Sequence, residues 1–457
     1  MESIMVLLSI INFTYGFTLK SEYWLFPETK KEHLELNGNF ELNIEQLIIG
    51  LNYNVTMDST SKNLRFLNPY LNYNSDILSI KLGSFEKEFL YGLALNLNSR
   101  EDIKAFRRLW GINVEAHYKK FSFSLLSGKP EILSFDGYSY HIENDTSDIV
   151  RFMDFEINDI LSKINTEVVY GRRNYSSMPA PYSFDELFGG ALSLSWDVLE
   201  LTSSYVKYLG CDPVLYKRKS GYGLYNSLSF YLSSFILNLR YAYYDSINFA
   251  GYNLPPTLSH KEILLSGGSG EKGFGASTYF STEDFNIEFE YNHMKSLYSS
   301  KYYEEYVFYT EYTNNTISII GKTGKEYERE IEPDIPEIRR YFIELQTFMD
   351  INPLEEIFIY VSRNKEKNIS TYFEFNGSLT LSHGNVSLIP GLNYITQSLS
   401  RYENENIWPK LTVRFKKENY YIDLFYGKEK GGLNCSGGIC RFEPPFEGLR
   451  ISFNFSL

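Results

Sequence analysis

Apolar side chains recur at every second position through most of this chain. Leu47, Ile49, Leu51, Tyr53 and Val55 alternate with Ile48, Gly50, Asn52 and Asn54. Leu192, Leu194, Trp196 and Val198 repeat the pattern, as do Phe285, Ile287, Phe289 and Tyr291. So do Phe373, Phe375, Leu379 and Leu381, and then Leu411, Val413 and Phe415. Successive side chains of a strand point to opposite faces, so each stretch has one apolar and one mainly polar face. No window of comparable length shows a 3.6-residue period. The chain reads as all-β.

The direction of the apolar face decides between a soluble sandwich and a membrane barrel. The segments are about ten residues long, which suits a strand crossing a bilayer at a tilt. They recur from residue 34 to the end with no linker between them, whereas a sandwich of this length needs several copies joined by visible linkers. Composition agrees with lipid outside and water inside. Only 43% of residues are apolar and mean hydropathy is −0.29, yet aromatics reach 17%, with 39 Tyr and 34 Phe. Tyrosine suits a boundary where the ring meets an apolar phase and the hydroxyl meets water. The formal charge of −13 argues against a nucleic-acid partner, which requires a basic face. The prediction is a single large transmembrane antiparallel up-and-down β-barrel in the bacterial outer membrane. Phe285, Ile287, Phe289, Leu449, Ile451, Phe453 and Phe455 are expected to face lipid. Glu288, Glu290, Glu374, Asp423, Arg240, Arg414, Lys416 and Arg450 are expected to face the lumen.

Both ends fit export. Ile4 to Ile11 form a short apolar run, followed by Thr14-Tyr15-Gly16. Small residues at the −3 and −1 positions predict a signal peptide over 1–16, cleaved after Gly16, and a barrel over 17–457. The start Met-Glu-Ser lacks the usual basic residue. At the other end, Leu449, Ile451, Phe453, Phe455 and Leu457 alternate with Arg450, Ser452, Asn454 and Ser456. Such a strand resembles the closing strand that the insertion machinery of outer-membrane barrels recognises, with Leu457 in place of the usual final aromatic.

Short turns are expected near Asn43, 83–86, 119–120, 158–162, 198–199, 233–234, 283–284, 350–354, 382–385 and 417–419. Longer polar connections are expected over 57–75, 99–109, 129–148, 174–187, 208–220, 249–272, 299–339, 397–407 and 429–445. Short turns on the periplasmic side and longer external loops are the habit of such barrels, and the spacing gives roughly 22 strands. If a hairpin around Asn314-Asn315 joins the wall, the total becomes about 24, still even. A barrel this wide encloses a lumen that must be water-filled or plugged. The connections 129–148 and 299–339 are the expected plugs.

Three cysteines are present: Cys211, Cys435 and Cys440. In an exported protein Cys435 and Cys440 are close enough to bridge across Ser436-Gly437-Gly438-Ile439. Cys211 is then left over, or pairs with one of them. No histidine stands near the pair, which leaves too few ligands for zinc. No metal or cofactor is expected.

Several blocks form a recognisable series. They are Lys81-Leu82-Gly83-Ser84-Phe85 with Tyr91-Gly92-Leu93-Ala94-Leu95, then Asn144-Asp145-Thr146-Ser147-Asp148-Ile149-Val150-Arg151. Tyr252-Asn253-Leu254-Pro255-Pro256-Thr257-Leu258 and Gly270-Glu271-Lys272-Gly273-Phe274 follow. Last come Gly427-Lys428 and Asn434-Cys435-Ser436-Gly437-Gly438-Ile439-Cys440-Arg441-Phe442-Glu443-Pro444. Together they resemble an uncharacterised family of outer-membrane β-barrel proteins of Bacteroidota and related phyla. The family's Phe-Gly-Arg-Gly-Leu step is Phe89-Leu90-Tyr91-Gly92-Leu93 here. The resemblance implies the barrel and its location, and no activity.

Little in the chain points to catalysis. The six histidines, at 33, 117, 141, 260, 293 and 383, are widely separated, and no stretch resembles an activated nucleophile with its base. Glu304, Glu305, Glu311, Glu326, Glu328, Glu330, Glu332, Asp334 and Glu337 crowd one stretch, read as a solvated external loop. The sharper alternative is a divalent-cation trap at the mouth, without the spacing of a known calcium loop. The leading expectation is a channel or transporter for a small solute. A structural or assembly component with a closed lumen is the alternative, and a barrel enzyme the third reading.

Overall fold

A computed structural model describes the chain from Phe13 to Ser456. It excludes residues 27–30, 59–61, 101–104, 136–139, 143–147, 175–183, 213–216, 266–269, 332–335, 401–404 and 437–438. It also excludes the single residues 248, 250, 260, 315, 352, 368, 370, 398, 400 and 444.

Among the described residues one sheet of 25 strands dominates, beside two separate two-stranded sheets. One member, Tyr140–Ile142, pairs only with Phe121–Phe135. The other 24 follow one another in chain order, each antiparallel to its neighbours. Phe13–Phe26 pairs with Lys31–Ile44 on one side and with the last strand, Phe446–Ser456, on the other. Thr18 stands opposite Ser456 and Leu25 opposite Leu449. Closure removes both sheet edges, so every wall strand has a partner on each side, as a backbone surrounded by hydrocarbon requires. The expected fold class holds, with 24 strands.

Alternation sets the two faces. In Phe121–Phe135, Phe121, Phe123 and Leu125 are exposed while Ser124 and Leu126 are buried. In Phe285–Ser296, Phe285 and Phe289 are exposed while Asn292 and Met294 are buried. The exposed positions are apolar and the enclosed ones mixed, the reverse of a soluble sandwich. Among the described residues no helix is long and apolar enough to cross a membrane.

The two ends of the barrel differ. One carries tight turns: Ile44 to Leu47, Tyr118 to Phe121, Trp196 to Leu199, Leu232 to Phe235, His383 to Val386 and Lys417 to Tyr420. Glu45, Lys119, Ser233 and Gly384 take positive φ there, as narrow hairpins demand. The other end carries the long connections 86–105, 136–148, 246–269, 396–406 and 430–445.

Three expectations are corrected. The stretch 299–339 is not a loop. Tyr302–Thr313 and Ile317–Arg329 are full wall strands paired over their whole length. Residues 57–75 are not one connection either, because Lys62–Asn74 is a wall strand. Likewise 83–86 is not a turn on the short side. Gly83 lies within Leu78–Phe85 at φ 94, where a Cβ would overlap the Pro69 carbonyl. That glycine permits close approach of two backbones.

The described parts of 86–105 and 246–269 enter the lumen, and 299–339 does not plug it. Residues 129–135 extend a wall strand, and most of 136–147 lies outside the described residues. Segment 86–105 folds into a small hairpin, Lys87–Phe89 with Leu95–Leu97. Leu90, Tyr91 and Gly92 between them all have positive φ. Phe89, Leu90, Leu93, Leu95 and Leu97 are buried, together with Ile247, Phe249, Tyr252, Leu258, Ile263 and Leu265 of the second segment. They form one core with inward wall residues running from Leu109, Leu126 and Phe152 round to Val206, Tyr244 and Tyr303. Each such burial contributes about 1.5–3 kcal/mol.

Candidate functional site

Where the two inner segments meet, backbone and side chains interlock. The Asn96 N–H donates to the Tyr252 carbonyl at 2.8 Å. Asn253 is 1% exposed. Its Nδ2 donates to the carbonyls of Leu93 (3.2 Å) and Ile247 (2.6 Å), and its Oδ1 accepts the Phe249 N–H at 2.8 Å. Gly92, at φ 87, leaves no space for a Cβ against the Leu254 carbonyl. Buried polar groups must find partners, and here one asparagine satisfies both segments.

Side chains on the wall strands and at their ends hold this seal in place. Arg107 donates to the carbonyls of Asn96 (3.2 Å) and Gly251. Asp148 accepts the Tyr252 hydroxyl at 3.0 Å and the Arg173 guanidinium at 2.6 Å. Arg173 also lies 5.2 Å from the Tyr252 ring. Tyr244 donates to the Pro256 carbonyl at 2.8 Å, and Glu271 accepts the Leu265 N–H at 2.5 Å. Glu167 accepts the Leu90 N–H at 3.2 Å. Lys261 reaches Glu326 (2.6 Å) and Glu328 (3.0 Å), which also bind Arg340. Burial and the Arg340 charge disfavour the Lys261 ammonium. The two carboxylates outweigh them and hold it above the ordinary lysine range.

Four of the sequence blocks behind the family resemblance contribute residues to this one place, and, among the described residues, the Cys435–Cys440 block does not. Gly92 and Leu93, Asp148, Tyr252 to Leu258, and Glu271 all belong to this seal. The acidic stretch is also reassigned. Glu305, Glu326 and Glu328 are buried inward groups of the wall rather than loop residues.

Away from the seal, the inward charges pair across strands. Arg240 meets Glu290 at 2.6 Å and Asn292 at 3.2 Å; Glu288 lies on the same face one pleat along from Glu290. Arg414 grips Asp423 through two bonds of 2.7 and 2.8 Å. Arg450 grips Glu429 at 3.0 and 3.1 Å and lies 4.8 Å from the Phe425 ring. Glu374 binds Lys430. Lys416 is exposed and keeps the parity of Arg414. Lys410, Arg414, Asp423, Glu429, Arg450 and Thr412 line a cavity of about 290 Å³. Paired this way, most of the predicted lumen charges brace the wall. Phe285, Ile287 and Phe289 occupy the opposite parity, as do Leu449, Ile451, Phe453 and Phe455 in the last strand.

Cys435 and Cys440 stand opposite each other in the register of Gly432–Ser436 with Ile439–Glu443. Their side chains, and that of Cys211, lie outside the described residues. His117 Nδ1 is 3.0 Å from Ser122 Oγ, with Glu115 at 3.8 Å from Nε2. Glu115 Oε1 binds Lys87 and Asn113 at 2.8 and 2.6 Å, and its Oε2, at 3.8 Å, is beyond the hydrogen-bond reach of the imidazole that a catalytic relay requires.

Comparisons with known proteins agree with the fold. A family model described as a family of unknown function (DUF6029) matches residues 359–457, the stretch that carries the Cys435–Cys440 block. No curated protein matches the chain. Among solved structures, the E. coli P pilus tip assembly intermediate PapC-PapD-PapK-PapG aligns with a TM-score of 0.51 at 7% identity. The alignment covers 97% of this chain and 60% of that one. The P pilus usher (PapC) translocation pore aligns at 0.49 and 8% identity, covering 97% and 99%. The FrpB iron transporter of Neisseria meningitidis aligns at 0.45 and 9% identity, covering 99% and 83%. At these identities the likeness is one of fold.

Proposed function

We propose that this protein is an outer-membrane channel or transporter for a small solute, closed at rest by the two inner segments. One observation carries the reading. Among the described residues, the seal is built from connections held by side chains and apolar packing, not by pairing with the wall sheet. It can rearrange while all 24 strands stay joined. Loops folded into a barrel commonly fill or gate its lumen. The outward Phe and Leu residues are the lipid-facing surface, and the last strand is the segment handed to the insertion machinery. Residues 1–16 are proposed as the export signal; cleavage after Gly16 would remove from the first strand Phe13 to Gly16, which pair with Ile44 to Glu41, and leave its pairing with the last strand, Thr18 to Leu25, whole. The register of Cys435 with Cys440 supports a disulfide between them on the external side.

Conductance in planar bilayers tests the reading. The intact protein is expected to be mostly closed. A variant with 247–265 replaced by a short Gly-Ser linker is expected to give large, stable open steps. A silent variant, still folded and inserted, overturns the channel. The extent of the apolar core favours a second reading, an envelope scaffold with a permanently closed lumen, and that silent outcome would select it.

A further inference from the structure

Three carboxylates meet on the inward face of one strand pair, at the edge of the seal. Glu156 stands directly opposite Glu167 in the register of Ile149–Ile160 with Ile164–Asn174, and Asp154 follows on the same face. One oxygen from each lies within 4.8 Å of the others. Asp154 is 3% exposed, and its Oδ1 has no hydrogen-bond partner. Like charges placed directly across a strand pair oppose pairing, and a buried unpartnered carboxylate oxygen is costly. Lys87, whose charge reaches Asp154 and Glu167, is bound to Glu115 at 2.8 Å. Glu167 gives one oxygen to the Leu90 N–H. The rest of this negative charge calls for a cation of its own.

We propose that Asp154, Glu156 and Glu167 bind a hard divalent cation of the calcium type on the lumen wall. Such ions take only oxygen ligands, six to eight of them at about 2.3–2.6 Å. Three carboxylates supply several of these, and water completes the shell. The ion neutralises the Glu156–Glu167 repulsion and gives the buried Asp154 oxygen a partner. Because Glu167 also holds Leu90, the ion braces the wall where the seal is attached. The alternative occupant of such a trio is a proton shared between two carboxyls.

The test uses the full chain in detergent, stripped with EDTA and titrated calorimetrically with CaCl2 and separately with MnCl2. One saturable site per chain is expected, weakened at least tenfold by Asp154→Asn and by Glu156→Gln. Both substitutions remove a like charge, so both variants are expected to fold, as heat-dependent gel mobility checks. Failure of either ion to bind saturably overturns the proposal and assigns the trio to a shared proton. Undiminished binding by both variants overturns it too. The titration needs no open pore, so its outcome is independent of the channel reading.

Discussion

Gly92 packs so closely on the carbonyl of Leu254 that a methyl group between them would overlap the oxygen. The two inner segments, about 160 residues apart by the Leu93–Asn253 hydrogen bond separation, are thus pressed together at a point only glycine fits. Its φ of 87 adds a conformational demand of its own.

Gly92→Ala is therefore expected to loosen the seal and leave the wall intact. A non-glycine residue held in such a conformation costs about 1–3 kcal/mol, and the overlap adds to it. Channel opening by the Ala variant, with unchanged heat-dependent gel mobility, is the expected result. Wild-type closure would show that the contact has slack.

Asn253→Ala removes two donors and one acceptor that serve both segments. Each buried partner left unsatisfied costs about 1–3 kcal/mol. Hydrogen exchange is expected to quicken over 247–265 and 87–97, with the strands around Phe289 unchanged. Uniform quickening across the molecule would mean that the seal and the wall unfold as one.

Phe289→Arg and Glu288→Arg place the same cation on opposite faces of one strand. The first is expected to hinder folding into vesicles, since a cation facing lipid at mid-wall costs about 2–4 kcal/mol. The second is expected to insert normally. Equal damage would reverse the assignment of the faces.

Lys410 lines the lumen cavity and, among the described residues, makes no ion pair. In the variant lacking 247–265, Lys410→Glu is expected to shift permeability towards cations, as reversal potentials under a KCl gradient report. Folding yield is expected to be unaffected. An unchanged selectivity would place the ion path elsewhere.

The wall was legible because its rule is simple: one residue out, the next one in. The seal was not, because its residues obey the same rule for another reason. Phe89, Leu93, Leu95 and Leu97 alternate like a wall strand, yet they pack on the inner face of the barrel. The polar residues of Lys62–Asn74 hide a wall strand inside what reads as one long connection, and the hairpin around Asn314 joins the wall to bring the strands to 24. A usable signal did exist. Where the seal rests, the wall is apolar on both faces, as at Phe152 beside Met153 and Val168 beside Val169. A strand with water on its inner side has no reason to break alternation, so paired apolar neighbours mark where something dry is pressed against the wall. The carboxylate trio was harder to see, because Asp154 and Glu167 meet only through the register of two strands.

The stopper of this barrel is spliced into the ring at both of its ends, through Phe85 and Phe106 on one segment and Asp245 and Gly270 on the other. It cannot diffuse away or be shared between molecules. Reclosure is then a first-order event whose rate does not depend on how much protein the membrane holds, and each opening carries its own return.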